Sequence, residues 1–296
     1  MIHAVIINPR AGGGRALTRM LSLKRECPEV FDSIPWLEAE SVSEAALLLH
    51  QLPASSRILV AGGDGTVNRL LGALLANAHQ LALMPLGNGN DLARALGLHR
   101  LTVRQCLAVA NGPSVRSVDV GQVWLNRSQH YFVSSLCAGF DAAICQKVQI
   151  APRKFRGVFR YLYATLTALA ALETWDMKAS AGDQVLHEGV ALFASILNTP
   201  SYGAGMPAAP QARIDDGALD VVIAGNFNRL GALAMLPRLL TGRHIGHPKV
   251  MVKASQTLTL RSKRPMPVAS DGEYLGLTQS LEVVVRAGAL SVLVGR

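Results

Sequence analysis

The sequence predicts an α/β N-terminal domain on a parallel sheet, followed by a β-rich C-terminal domain of sandwich type, with a cleft between the two. Three observations carry that expectation. Short apolar strands alternate with helical stretches from His3 to about residue 120, the pattern of a parallel layered sheet. Glycine-rich turns interrupt this region after successive strands. Beyond Asn111-Gly112-Pro113 the texture changes to short β-rich runs without alternating helices, which indicates antiparallel pairing.

The first strand, His3 to Ile7, runs into Asn8-Pro9-Arg10-Ala11-Gly12-Gly13-Gly14-Arg15, with a helix expected from about Ala16. Met1 to Ile7 has no basic n-region and no long apolar core, so it reads as a strand rather than a signal peptide, and a cytoplasmic protein is expected. Glu44 to Leu52 reads as a helix. It leads into the strand Ile58 to Ala61, the turn Gly62-Gly63-Asp64-Gly65-Thr66 and another helix. The strand Leu81 to Met84 repeats the arrangement with Pro85-Leu86-Gly87-Asn88-Gly89-Asn90-Asp91.

Strand, glycine turn and helix, used twice within about forty residues, bring two helix N-termini and their free N–H groups together, a place to hold phosphate. Glycine lets a backbone approach a phosphate oxygen without an intervening Cβ, although it also makes ordinary strand-to-helix turns. Asp64 separates the readings. A carboxylate where anions are to bind makes sense if a divalent cation or a reacting hydroxyl mediates. Ligands of such sheets sit beyond the carboxyl ends of the strands, so the three glycine turns are expected on one rim.

A second domain is expected to begin near residue 120, giving 1–120 and 121–287, with the chain end at about 288–296 forming a last strand, Leu290 to Val294. Its strands are expected at Val115 to Leu125, Tyr131 to Leu136, Val190 to Leu197, Ala218 to Ala224, Thr257 to Arg261 and Leu281 to Val285. Two helical stretches interrupt it. Tyr161 to Trp175 is apolar over most of its circumference and follows Arg153, Lys154, Arg156 and Arg160, so it is either a core helix or one resting on an anionic membrane. Arg229 to Leu240 reads as a lid or packing helix.

Composition bounds the function. The 296 residues are half hydrophobic and 17% charged, which describes a compact globular chain long enough for two cores. A net charge of +9 favours an anionic partner. With aromatics at 5% and no aromatic and basic stripe, nucleic acid ranks behind nucleotide and membrane. Cys27, Cys106, Cys137 and Cys145 lack CxxC spacing and read as free thiols in a reducing compartment.

Taken together, Gly62-Gly63-Asp64-Gly65-Thr66 and Pro85 to Asp91 resemble the nucleotide-binding core of the diacylglycerol kinase catalytic domain family, which includes sphingosine and ceramide kinases and bacterial lipid kinases. The resemblance extends in ordered motifs from Asn8 to Glu273. It implies an NAD kinase/diacylglycerol kinase-like fold in which the chain end at about 288–296 returns to the first domain, and transfer of the γ-phosphate of ATP, with Mg2+, to a lipid hydroxyl, most simply diacylglycerol. Asn8, Pro9 and Gly12 match the family's NPxxG motif, with Arg10 or Arg15 placed to meet phosphate or to be a solvated surface charge. Gly62, Gly63, Asp64, Gly65, Thr66, Gly87, Asn88, Asn90 and Asp91 are the nucleotide-side residues. Asn88 stands where the family more often has Thr, so an amide replaces a hydroxyl.

By the same resemblance, Asp64 is the principal catalytic carboxylate. Asp119 joins it through water and magnesium, and the pair Asp271 and Glu273 faces the nucleotide, with Glu273 assisting. Read from residues alone, Asp271-Gly272-Glu273 is a hairpin turn and Asp119 an acid in a β-turn. Lys154 and Arg156 correspond to basic residues near the active site of bacterial relatives. The loop Asn198 to Asp220 matches the family closely, and its acidic turn implies a structural magnesium on Asp216, Asp215 and Leu219, against the alternative of solvated turn acids.

The expected partners are ATP, a lipid alcohol and an anionic membrane touched peripherally, with a homodimer left open. Three rivals remain at this level. A kinase for a soluble acceptor such as NAD uses the same chemistry, because NAD kinases and phosphofructokinases carry relatives of GGDGT. A silent nucleotide- or lipid-binding regulator would bind ATP without transfer, and a nucleic-acid binder would show steep salt dependence.

Overall fold

The computed structural model describes residues 1–38, 42–152 and 158–295. These form two compact units, residues 1–120 with 287–296, and residues 121–286.

The first unit alternates strand and helix. Its elements are β1 (Ala4–Ile7), a 3-10 turn (Ala11–Gly14), α1 (Arg15–Glu26), α2 (Pro28–Phe31), β2 (Trp36–Glu38), α3 (Val42–Gln51), β3 (Arg57–Gly62), α4 (Asp64–Ala76), β4 (Gln80–Pro85), α5 (Asp91–Ala95), a short 3-10 turn (Leu98–Arg100) and α6 (Val103–Asn111). The strands pair in parallel in the order β2-β1-β3-β4. Residues 291 and 292 of the chain end add a further parallel strand beside β4.

Parallel strands buried on both faces read as unbroken apolar runs, as Ala4–Ile7 and Ile58–Ala61 do. Val5, Ile7, Leu59, Ala61, Ala82 and Met84 face one core with Met20, Leu23, Phe31 and Leu107 of the helices. Alternation sends Ile6, Ile58, Val60 and Leu83 to the other face, and α3 and α4 bury Leu49, Leu70, Leu71 and Leu74. Four elements here were not anticipated, α2, β2, the 3-10 turn Leu98–Arg100 and α6. β2 is only three residues long, and α6 carries a signal that was present in the sequence, a capping box in which Thr102 and Gln105 satisfy each other's backbone N–H groups.

The second unit is antiparallel. After β5 (Val115–Leu125) come β6 (Ser128–Phe132), β7 (Ser135–Gly139), α7 (Phe140–Ile150), α8 (Val158–Ala170), β8 (Trp175–Ala181), β9 (Gln184–Leu197), β10 (Leu219–Gly225), α9 (Arg229–Leu240), β11 (Val250–Ser255), β12 (Thr257–Ser270) and β13 (Glu273–Leu293). Strands β9 and β12 each serve two sets of partners. β9 pairs with β8 through its first half and with β7 and β10 through its second. β12 pairs with β8 near Thr259 and with β7 near Ala269. The pairs β7–β9, β9–β8, β8–β12 and β12–β7 therefore close on themselves, and Leu136, Ala138, Met177, Ile196, Leu260 and Val268 lie in the core of this unit.

Two expectations are corrected. The helix ends at Ala170 rather than Trp175, and Trp175 instead opens β8. Tertiary packing decides this, because the buried indole donates to the Pro265 carbonyl at 3.1 Å and lies under the Arg264 guanidinium. The expected run Tyr131 to Leu136 splits into β6 and β7. At the split, the N–H groups of Val133, Ser134 and Ser135 turn to the Asp271 carboxylate.

Candidate functional site

In the first unit the glycine turns are packed backbone on backbone. A Cβ on Gly12 would lie 2.5 Å from the Leu86 carbonyl oxygen, and Gly12 holds φ +59, where a side chain is strained in any case. The Leu86 and Gly87 N–H groups both donate to the Gly62 carbonyl, at 2.9 and 3.1 Å. Asn90, itself in the left-handed region at φ 55, accepts the Gly87 N–H on its Oδ1 and donates through Nδ2 to the Gly87 and Pro85 carbonyls. Arg94 closes the same turn by donating to the Gly89 carbonyl.

Asp64 is the first residue of α4 and is half-buried. Its Oδ1 accepts the Leu92 N–H at 3.3 Å, so the carboxylate faces the start of α5. Burial pushes this carboxyl above the ordinary value, while the N–H groups of Asp91, Leu92 and Asn90 pull it back. Thr66, buried, accepts a hydrogen bond from Asn8 Nδ2 at 3.0 Å, and Asn8 Oδ1 accepts the Arg10 N–H. The first and second glycine turns are thus joined through Asn8 and Thr66. Pro9 is half-buried and the Arg10 side chain is exposed. Gly65 offers its carbonyl to Arg69, and Asp91 is buried.

A cavity of about 80 Å³ lies between the first and third turns, lined by Gly12, Arg15, Arg19, Leu86, Gly87 and Asn88. Two guanidinium groups, an amide and backbone that no Cβ screens make this a basic cradle of phosphate dimensions. Arg15 is oriented by donating to the Gly12 carbonyl at 2.9 Å. Arg19 was missed from the sequence, although its position one helical turn beyond Arg15 was a usable signal.

Asp119 is buried and accepts the Gly288 N–H at 2.6 Å, which ties the returning chain end into the first unit. In the second unit, Asp271 and Gly272 form a tight hairpin turn, both at positive φ. The Asp271 carboxylate accepts three backbone N–H groups, from Val133 at 3.0 Å, Ser134 at 2.8 Å and Ser135 at 2.9 Å. Its lone pairs are engaged, whereas Glu273 next door is half-exposed.

The loop between β9 and β10 is packed rather than loose, with Asn198, Thr199, Tyr202, Ala208, Ala209 and Ala212 buried. Asp215 and Asp216 are exposed and Leu219 is buried. Asp216 accepts the Ala218 N–H at 3.1 Å and lies near enough to Asp220 to help burial raise that carboxyl. Among the described residues no group of three His, Cys, Asp or Glu side chains is gathered as a metal cage. Lys154 and Arg156 lie outside the described residues.

Two family models between them match most of the chain. Residues 3–123 match the diacylglycerol kinase catalytic domain, and residues 134–294 match the YegS C-terminal NAD kinase beta sandwich-like domain. A diacylglycerol kinase of Staphylococcus carnosus (strain TM300) is 29% identical over 241 residues, covering 76% of this chain and 75% of its own. The "probable lipid kinase YegS-like" of Chromohalobacter salexigens is 30% identical over 226 residues, 74% of this chain and 70% of its own.

Among solved structures, a diacylglycerol kinase from Bacillus anthracis str. Sterne superposes with a TM-score of 0.70 at 19% identity, covering 99% of this chain and 97% of that one. An NAD kinase from Archaeoglobus fulgidus, solved with ATP, gives 0.56 at 9% identity, with 99% and 93% covered, a likeness of fold alone. The chain belongs to the diacylglycerol kinase family of YegS-like lipid kinases.

Proposed function

We propose that the protein transfers the γ-phosphate of ATP to the hydroxyl of a membrane lipid, with diacylglycerol the first candidate and phosphatidic acid its product. The observation that carries the reading is the union, in one unit, of a basic backbone cradle at Gly12, Arg15, Arg19 and Gly87 with a carboxylate, Asp64, whose pKa is raised by burial. Phosphoryl transfer needs positioning and charge neutralisation more than covalent help, and these residues offer both.

In the proposed reaction Arg15 and Arg19 hold the phosphates. Asp64 aligns the acceptor hydroxyl and takes its proton as the oxygen–phosphorus bond forms and the bond to the β-phosphate oxygen breaks, releasing ADP. A carboxylate with a raised pKa is the better proton acceptor for that step. Asn8 and Thr66 hold the first two turns in register for it. Asp119 and Asp271, engaged by backbone N–H groups, act as positioning residues, and Glu273 assists with its freer carboxylate.

Magnesium, when bound with the nucleotide, supplies neutralisation of the phosphate charge. Such ions take one or two carboxylates and complete their shell with phosphate and water. Asp64, whose neighbour Gly63 packs on Gly87 of the cradle, fits that role without a three-carboxylate cage. A second ion at Asp215, Asp216 and the Leu219 carbonyl would rely on backbone and water oxygens in the same manner. The enzyme is proposed to work at the cytoplasmic membrane surface. No helix among the described residues is long and apolar enough to cross a bilayer.

The test is transfer of label from γ-labelled MgATP to a panel of lipid alcohols in mixed micelles, with NAD as a soluble acceptor. Label in one lipid is expected. Label in NAD alone would replace the reading with a soluble-acceptor kinase, and label nowhere would replace it with a nucleotide-binding regulator.

A further inference from the structure

Helix α8 packs with its small side chains inward and its large ones outward. Ala164 and Ala168 are fully buried against the core of the second unit, with Thr165 beside them. Phe159, Leu162, Tyr163 and Leu166 occupy the opposite side, and Phe159 is 72% exposed. At about 100° per residue these four fall on one face of the helix, at positions i, i+3, i+4 and i+7. A helix selected only to fill a core would be turned the other way, since burying the large apolar side chains removes more apolar surface from water than burying alanines does.

Neighbouring α9 repeats the inversion. Ala232 and Met235 turn inward, while Leu230, at 77% exposure, Leu233, Pro237 and Leu240 turn outward. The two helices touch each other. Single exposed leucines are ordinary, but two adjoining helices with outward apolar stripes form an interaction surface.

Two further observations select its occupant. First, residues 142–172 and 221–270, the stretches that hold α8 and α9, contain no Asp or Glu, and α9 carries Arg229 and Arg238 with Arg243 just after it. Arg229 and Arg238 are exposed on α9 itself. A second copy docked symmetrically through this face would set arginine against arginine. An anionic bilayer would receive both the leucines and the arginines. Second, the threonines of α8 keep their hydroxyls within the helix, Thr165 donating to the Tyr161 carbonyl and Thr167 to that of Tyr163, both at 2.9 Å. The helix thus brings no unpaired threonine hydroxyl to an apolar medium.

We infer that the α8–α9 face is the surface by which the protein docks on an anionic lipid bilayer, with the apolar stripes entering the headgroup boundary. The choice of bilayer over another apolar partner rests on the lipid-kinase reading above.

The full chain is to be sedimented with phosphatidylcholine vesicles with and without phosphatidylglycerol. Beside it go Leu162→Ser with Leu166→Ser, Leu230→Ser with Leu233→Ser, and Arg229→Glu with Arg238→Glu, each checked for an unchanged Tm. Wild type should bind the anionic vesicles, and each pair should weaken retention by about tenfold or more. Their turnover on a short-chain, water-soluble lipid alcohol should be unchanged. Undiminished retention in all three variants overturns the proposal, as does a wild-type dimer without vesicles that the leucine variants dissociate. Retention lost in the variants while no lipid is ever phosphorylated would uphold docking and sink the kinase reading. Lipid phosphorylation with retention unaffected by the variants would do the reverse.

Discussion

Gly63 and Gly87 meet so closely that a Cβ built on Gly87 would stand 2.4 Å from the Gly63 Cα and 2.8 Å from Asn90 Oδ1. The clash is with backbone, which cannot rotate away. Gly87→Ala is therefore expected to push the second and third glycine turns apart, costing about 1–3 kcal/mol of stability and most of the ATP affinity. Gly246→Ala, where an added Cβ meets nothing within 4 Å, serves as the control. Thermal melts and ATP titration of both variants check this, and equal behaviour of the two would refute it.

Arg15→Ala and Arg19→Ala each remove a cation from the cradle beside Gly12 and Gly87. A hydrogen bond to a charged group is worth about 1.5–3 kcal/mol, so each change should raise KM for ATP roughly tenfold or more. Tm should hold, since both residues are exposed. An unchanged KM in both would remove the cradle from the nucleotide site.

Asp271 and Glu273 are expected to part company. Asp271→Ala leaves three buried N–H groups unanswered and should lower stability by several kcal/mol, at about 1–3 for each, less than additively. Glu273→Gln should leave the melt unchanged and reduce turnover. Reversed results would make Asp271 the acid that touches substrate.

Asp141 gives a pH signature. Buried in the second unit, its carboxyl is pushed from 3.8 up to about 6 by desolvation, against the Tyr202 and Ser195 hydroxyls that donate to it. A raised native pKa means the folded state holds the proton more tightly. The contribution is complete below about pH 4 and is lost as pH rises through about 6, a fall of order 3 kcal/mol. Asp141→Asn keeps an oxygen for both hydroxyls and should flatten this slope. Tm measured from pH 4 to pH 8 in both proteins decides it, and parallel profiles would contradict the assignment.

Much of the fold was legible because its signals are local. Glycines that must approach backbone, as at Gly12 and Gly87, and apolar runs buried on both faces, as in β1 and β3, announce themselves within a few residues. What escaped depends on distant partners. Trp175 looks like the end of an apolar helix until Pro265, ninety residues on, accepts its indole N–H. The break between β6 and β7 is imposed by Asp271 from 136 residues away. Residue types alone also left α8 between core and surface, because Ala and Leu are both apolar and only packing shows which of them turns inward.

Asp64 is the carboxylate proposed to receive the acceptor's proton. The most direct measurement is the rate of labelled phosphate transfer from MgATP to the preferred lipid by wild type and by Asp64→Asn, with the ATP Kd and Tm of each. Asparagine keeps the shape and an oxygen for the Leu92 N–H, so fold and ATP binding should persist while turnover falls by about a hundredfold or more. Undiminished turnover in a folded, ATP-binding Asp64→Asn protein would contradict the account.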